Sequence, residues 1–255
     1  MRAILLAAGR GGRLGPLAAQ GPKCMVEFEE EPLLKRTLRG LVSCGVQEII
    51  IVVGYQKEKI LALLDSEQKL LSGTKVILVE NPDFTKGNIV SLWSSASYFD
   101  SDLLIMDADV YFEFPLLKRL LDSPLKDCFL LDDSFQNTGE EVVLMTRQGR
   151  VLDLAKTPPV VSEVEPSLPV GYDLLGESVG FLKLSQQNAA LLKEILQEMV
   201  TAGLVQSEYE QAYQRLLQKI WVGYETVGNL FWIEIDFPED LQKLHAKLKS
   251  HAAKY

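Results

Sequence analysis

The sequence predicts an α/β fold with a central, mostly parallel sheet and helices on both faces. Three observations predict it. Residues 3–8 and 48–53 are continuous apolar runs of strand length, as expected of strands buried on both faces. Between and after them lie stretches with apolar residues at helical spacing, so strand and helix alternate over residues 3–79. The first strand also runs straight into a glycine-rich loop, and ligands of such sheets bind beyond the carboxyl ends of strands.

The strand at 3–8 breaks into Gly9, Gly11 and Gly12, with Arg10 and Arg13 interleaved, and Pro16, Pro22 and Lys23 follow. Glycines let backbone N–H groups approach an anion, and basic residues neutralise it, so this stretch proposes a polyphosphate site. The dinucleotide fingerprint is excluded because Leu14 stands where its third glycine belongs. The Walker loop is excluded because no Gly-Lys-Ser/Thr triplet occurs. A tight turn alone would not need two arginines and a Pro-Lys pair.

A short strand is expected at 25–28. Glu31-Pro32 opens a helix over 33–44, with Leu34, Leu38 and Leu41 near helical spacing and Gly45 as its stop. A strand at 48–53, a helix at 57–71 and a strand at 75–79 follow. The polar loop after Asn81 leads into a helix reaching about residue 98. Asn88 lies near its start, where its side chain serves equally to cap the helix or to reach a ligand.

The strand at 103–106 ends in Asp107-Ala108-Asp109. Alternation puts both carboxylates on one face if the strand continues, and such a pair beside a basic loop suits oxygen-ligated Mg²⁺. The same Asp-X-Asp also serves turns and caps. A helix at 114–121 and a strand at 128–131 come next, the latter ending in Asp132-Asp133, read as a solvated turn. Segments 141–145 and 150–154 flank Arg147-Gln148-Gly149 as a hairpin.

Residues 157–171 carry Pro158, Pro159, Pro166 and Pro169 and read as a lid or an excursion. In the strand at 174–184, Gly176 marks a close approach. Helices at 187–201 and 207–218 precede a last strand at 230–235 that ends at Asp236. A terminal helix from Pro238 carries His245 and His251 on a polar surface rather than as ligands.

Bulk properties narrow the function. The chain has 255 residues, enough for one large domain spanning 1–255. Hydrophobic content of 47% and charged content of 24% are those of a soluble globular protein. A net charge of −9 disfavours a nucleic-acid partner. The apolar start of the chain is too short for a signal peptide, and no run reaches membrane-spanning length. Cys24, Cys44 and Cys128 lack metal spacing and suggest a reducing compartment. A cytoplasmic protein without a membrane partner is expected, monomeric or homodimeric.

The glycine loop, Lys23, the Asp107/Asp109 pair and the strand end at Asp236 are compatible with one site. A carboxylate from each of two strands would hold one Mg²⁺, which would stabilise charge developing at phosphorus. The N–H groups of Gly9, Gly11 and Gly12 would hold the β and γ phosphates, and Arg13 and Lys23 would neutralise the leaving pyrophosphate. The predicted reaction is nucleotidyl transfer. No side-chain nucleophile is required if the acceptor already carries a phosphate.

Leu6-Ala7-Ala8-Gly9-Arg10-Gly11-Gly12-Arg13-Leu14, with Pro16-Leu17 and Pro22-Lys23, resembles the signature of the nucleoside-diphospho-sugar pyrophosphorylase superfamily. Three later pieces are most similar to its phosphocholine cytidylyltransferase branch. They are Asn88-Ile89-Val90-Ser91-Leu92, Gly176-Glu177-Ser178-Val179-Gly180-Phe181 and Trp232-Ile233-Glu234-Ile235-Asp236.

The resemblance implies a Rossmann-like three-layer α/β/α nucleotidyltransferase fold with a small β-rich acceptor subdomain at 139–185. It implies that Asp109 and Asp236 bind Mg²⁺ and that Lys23 contacts phosphate. It places Leu6, Ala7, Ala8, Gly9, Asn88 and Ser91 with the nucleotide, Asp107 in support, and Lys156 and Glu177 with the acceptor. One departure is Ala18, where a threonine usually follows Pro-Leu. A quaternary ammonium acceptor would favour aromatic neighbours, for which Tyr111, Tyr172, Trp221 and Trp232 are candidates.

The implied activity is CTP-dependent cytidylyl transfer to phosphocholine or a similar small phosphate or phosphonate. The alternative is a sugar-1-phosphate nucleotidyltransferase using UTP, dTTP or GTP. A catalytically silent, nucleotide-binding regulatory homologue is a third reading, opposed by intact Lys23, Asp109 and Asp236.

Overall fold

In the computed structural model, which describes residues 1–136, 138–156 and 171–252, the alternation of apolar runs closes into one large sheet. The chain begins with β1 (Arg2–Ala7), runs through 3-10 turns at Gly12–Gln20 and Lys23–Met25, and forms a small hairpin of β2 (Glu27–Phe28) and β3 (Glu31–Pro32). Then come α1 (Leu33–Ser43), β4 (Glu48–Val53), α2 (Lys57–Ser66), β5 (Lys75–Glu80) and α3 (Ile89–Ser94). The middle holds β6 (Leu103–Asp107), β7 (Val110–Phe112), α4 (Phe114–Asp122), β8 (Cys128–Asp132), β9 (Val143–Arg147) and β10 (Arg150–Ala155). The rest is β11 (Leu174–Leu184), α5 (Gln186–Thr201), α6 (Glu210–Leu217), β12 (Gly223–Thr226), β13 (Trp232–Glu234) and α7 (Pro238–Ala252).

Among the described residues the sheet has nine strands, in the order β10-β9-β11-β6-β1-β4-β5, with β8 paired to β11 and β12 to β8. The pairs of β1 with β4, β1 with β6 and β4 with β5 are parallel. The long strand β11 is antiparallel to β6, β8 and β9. Strand alternation sorts the core. Ala3, Leu5, Ile49, Ile51, Leu104 and Met106 pack with α1, α2 and α4, while Ile4, Ile50, Val52, Ile105 and Leu182 pack with α3, α5 and α6. These two clusters make the three layers that the sequence predicts. The hairpin β9–β10 forms where expected and extends the same sheet through β11.

A third cluster matters for the loop. Leu14 is fully buried against Phe28, Leu33, Tyr111, Ile235 and Leu244, which fixes the glycine stretch on the protein. His245 lies on the exposed side of this packing with its ring 4.7 Å from Phe28. The side chain of His251 and the proline-rich stretch at 157–170 lie outside the described residues.

Several boundaries differ from expectation. The first strand is Arg2–Ala7, and only Glu27–Phe28 of the stretch 25–28 is extended. Lys23–Met25 instead makes a turn, with the Met25 N–H donating to the Pro22 carbonyl at 2.8 Å. Helix α2 ends at Ser66, whose hydroxyl donates to the Leu63 carbonyl at 2.8 Å and competes with helix propagation. The last helix before β12 starts at Glu210, and the last strand shrinks to Trp232–Glu234. The polar β12, Gly-Tyr-Glu-Thr, gives no apolar run to read. No helix of the described residues is long and apolar enough to cross a membrane.

Candidate active site

At the carboxyl ends of β1 and β6 lies a cavity of about 360 Å³. The glycine loop reaches it through a specific backbone device. Gly11 adopts φ 67°, where a Cβ would meet the Lys23 Cβ at 3.0 Å and the Lys23 Cγ at 3.2 Å. A side chain at position 11 would therefore push away the lysine stem, and the positive φ itself favours glycine. Gly9 and Arg13 line the cavity together with Lys23, whereas Gly11 and Gly12 do not. Gly11 acts by admitting Lys23.

The carboxylates are gathered by the ribbon of β7 and β13. Their antiparallel register puts Glu234 opposite Val110, and the Ile235 N–H donates to the Asp109 carbonyl at 3.0 Å. Asp109, Glu234 and Asp236 then present one oxygen each within 4.8 Å of one another. Glu234 and Asp236, two residues apart, share a face, which their spacing already allowed. Lys23 Nζ lies 2.6 Å from Asp109 Oδ2 and 3.2 Å from Glu234 Oε1, and it also contacts Asp236 Oδ1. Arg13 contacts Asp236 Oδ2 and reaches Glu140 Oε2 at 3.0 Å.

Asp109 Oδ1 is buried and has no hydrogen-bond partner. An orphaned carboxylate oxygen is costly to bury, and a hard divalent cation takes such oxygens. The donor set of Asp109, Glu234 and Asp236 therefore fits Mg²⁺.

Asp107 and Asp109 part company. The strand does not continue through them: β6 ends at Asp107, the Ala108 N–H returns to the Leu6 carbonyl at 3.3 Å, and β7 starts at Val110. Asp107 Oδ2 accepts the Tyr209 hydroxyl at 2.6 Å. Burial pushes the Asp107 carboxyl well above the usual carboxylate range, with Asp109 adding to it and the Tyr209 bond opposing it. Asn88 Oδ1 accepts the Tyr209 N–H at 2.5 Å, so its side chain ties α3 to the start of α6 instead of capping its own helix. Ser91 Oγ accepts a hydrogen bond from Asn81 Nδ2 at 3.0 Å.

The cavity is lined as well by Lys156, Glu177 and Glu140 from the β9–β11 region, and by Glu208, Glu210 and Tyr213 from around the start of α6. Leu6, Ala7, Ala8, Gly9, Asn88, Ser91 and Asp107 also line the cavity. Tyr172, Tyr111, Trp221 and Trp232 do not. Tyr111 is buried against Phe28 and Arg36, Trp221 is 49% exposed, and Trp232 Nε1 donates to Asp132 Oδ2 at 2.8 Å. The aromatic side chains in the lining are Phe84, Phe129, Tyr209 and Tyr213. Gly176 makes the expected close approach, since a Cβ there would meet Leu131 Cδ2 at 2.2 Å. Glu140, the Glu208–Glu210 segment and Tyr213 carried no motif, and Glu234 was visible only as the alternate residue before Asp236.

Burial pushes the Glu177 carboxyl up to about 8, with Glu141, Asp132 and Glu234 adding to it. The folded protein thus keeps a proton that the unfolded chain releases near pH 4.3. Stability contributed by this group is full below that pH and falls as pH rises towards about 8. Relative to wild type, Glu177→Gln should gain on the order of 2 kcal/mol between pH 5 and pH 9, after allowing for solvent screening at the cavity mouth. Denaturant titrations at the two pH values check it, and a difference independent of pH would show that Glu177 is not so buried.

The family profile of the MobA-like NTP transferase domain matches residues 3–198. The CTP:phosphoglutamine cytidylyltransferase of Campylobacter jejuni is 26% identical over 265 residues, covering 95% of this chain and 98% of that protein. The CMP-5'-(3-aminopropyl)phosphonate synthase of Streptomyces rubellomurinus is 37% identical over 125 residues. That match covers 49% of this chain and 19% of the synthase, so the chain spans a small part of that relative. Among solved structures, the CTP:phosphocholine cytidylyltransferase of Streptococcus pneumoniae superposes with a TM-score of 0.73 at 21% identity, covering 97% of this chain and 98% of that one. That likeness supports the α/β nucleotidyltransferase fold.

Proposed function

Because the chain belongs to the MobA-like NTP transferase domain family and is a nucleotidyltransferase, we propose that it transfers CMP from CTP to a small phosphorylated or phosphonate acceptor, with release of pyrophosphate. The observation that carries the chemistry is the meeting of Lys23 and Arg13 with Asp109, Glu234 and Asp236 around the unpartnered Asp109 oxygen. The choice of CTP is supported by relatives whose names specify cytidylyl or CMP chemistry.

In this reading an oxygen of the acceptor phosphate attacks the α-phosphorus of CTP, and the bond to the bridging oxygen of pyrophosphate breaks. Asp109, Glu234 and Asp236 would hold Mg²⁺, which supplies Lewis-acid stabilisation of the charge developing on the phosphates. Lys23 and Arg13 take up the negative charge of the departing pyrophosphate. Asn88 and Ser91 line the nucleotide side, and Ala8 and Gly9 bring the β1 backbone close to it. The described residues of 139–185 would form the acceptor side of a single nucleotidyltransferase domain.

The acceptor wall also suggests a preference. Glu140, Glu177, Glu208 and Glu210 line the same cavity as Lys156. Lys156 is the group to meet the acceptor phosphate, and the glutamates suit an ammonium on the same molecule. Phosphocholine and aminoalkyl phosphonates have that combination. A reaction that consumes a nucleoside triphosphate fits a cytoplasmic enzyme.

The test is pyrophosphate release with CTP and a panel of phosphocholine, aminoalkyl phosphonates, phosphorylated amino acids and polyol phosphates. Turnover with UTP and sugar 1-phosphates, and none with CTP, would overturn the proposal. Lys156→Met should raise the acceptor KM about 10-fold while leaving the KM for CTP unchanged. Equal changes in both would remove Lys156 from the acceptor side.

A further inference from the structure

The basic and acidic groups of this site are already spent on one another. Lys23 Nζ touches Asp109, Glu234 and Asp236, the same three carboxylates that bring one oxygen each within 4.8 Å of one another. Arg13 occupies the second oxygen of Asp236. The lysine side chain is only 11% exposed, so its ammonium is a buried counter-ion and not a solvated neighbour. The cations needed on the triphosphate are thus held by the carboxylates needed on the metal.

We propose that Lys23 is the resident occupant of the divalent-metal seat and that metal and polyphosphate enter together by exchanging partners with it. A metal ion arriving alone would drive the lysine ammonium from its three carboxylates into a cleft holding no new anion. A polyphosphate arriving alone would draw off Lys23 and Arg13 and leave three bare carboxylates facing its own negative charge. Arriving together, the metal takes the carboxylates and the phosphates take the two cations. Each ligand then raises the affinity of the other, and linkage makes that coupling reciprocal. Gly11 lies beside the lysine stem, so the stem passes the loop without a side chain in its way.

This inference rests on reading the cavity as a metal–nucleotide site, but not on the choice of CTP or acceptor. The experiment therefore uses Mn²⁺ alone and magnesium pyrophosphate, the leaving group of every nucleotidyl transfer. Without nucleotide, Lys23→Gln should bind Mn²⁺ about 10-fold more tightly than wild type, measured by electron paramagnetic resonance of the free ion. Lys23→Arg keeps the positive charge and should bind Mn²⁺ as weakly as wild type.

A second measurement uses the native protein. With lysine ε-carbons labelled with ¹³C, the Lys23 resonance should shift when magnesium and pyrophosphate are added together. It should stay in place with magnesium alone at the same concentration. A Lys23→Gln variant that binds Mn²⁺ no better than wild type would overturn the proposal, as would a Lys23 resonance that moves with magnesium alone. Neither result depends on which nucleotide is turned over. A protein using UTP and a sugar phosphate would remove the proposed substrate and leave these measurements standing.

Discussion

Asp109→Asn should lower turnover by roughly 10³-fold, with the fold retained. The substitution is nearly isosteric and sits where β6 gives way to β7. It weakens the 2.6 Å pair with Lys23, but that ammonium keeps Glu234 and Asp236 as partners, so the fold is retained. What it does remove is the oxygen that has no protein partner, and with it one corner of the metal seat. The loss should fall on kcat, because the metal's contribution grows as charge develops on the departing pyrophosphate. Steady-state pyrophosphate release, with Mn²⁺ affinity and circular dichroism in parallel, separates these effects. Turnover within about 10-fold of wild type would mean that Asp109 does not hold the metal.

Gly87→Ala should destabilise the protein by about 2–4 kcal/mol. A Cβ at position 87 would lie 2.2 Å from the Ser207 carbonyl oxygen and 2.5 Å from the Gln206 carbonyl carbon. Both are backbone atoms and cannot rotate aside. The Gly87 N–H also donates to the Val205 carbonyl at 3.0 Å, so the two segments are locked together at that point. Forcing them apart disturbs the next residue, Asn88, whose side chain holds the Tyr209 N–H. The KM for CTP should therefore rise by at least about 10-fold as well. Gly12→Ala is the matched control, because nothing lies within 4 Å of its Cβ position. Its stability should stay within about 0.5 kcal/mol of wild type. Equal effects at the two positions would refute the backbone contact.

That the glycine stretch and the strand-end carboxylates meet around one cavity was legible in the sequence, for a physical reason. The glycine stretch, Lys23, Asn88, Asp109 and Asp236 sit at strand ends or helix starts, where local pattern says where the backbone goes. The part of the cavity lined from the start of α6 was less legible. Glu208, Tyr209 and Glu210 lie at the start of an amphipathic helix, and their sequence shows no sign that Gly87 packs against the backbone of Gln206 and Ser207 just before them. Aromatic residues misled for the same reason. Tyr111 and Trp232 belong to one two-stranded ribbon and pack into different core clusters on its two faces, a choice of face set by the β7–β13 pairing rather than by composition. The Asp107/Asp109 pair needed one further fact, that the strand stops between them, which no alternation rule contains.

The antiparallel strand β11 has a consequence for how the chain is made. It is inserted between β6 and β9 and also pairs with β8, so β8 and β9 join the parallel strands through it and β6 is left with an open edge until it docks. A nascent chain that has left the ribosome only as far as residue 155 has made all three, yet each lacks that partner. Unpaired edges invite sticking to other chains, and pairing across long sequence separations is slow. The vulnerable period closes when residue 184 emerges and the last rung of β11 can dock. A pause in translation before that point should therefore yield aggregates, and one after it should not.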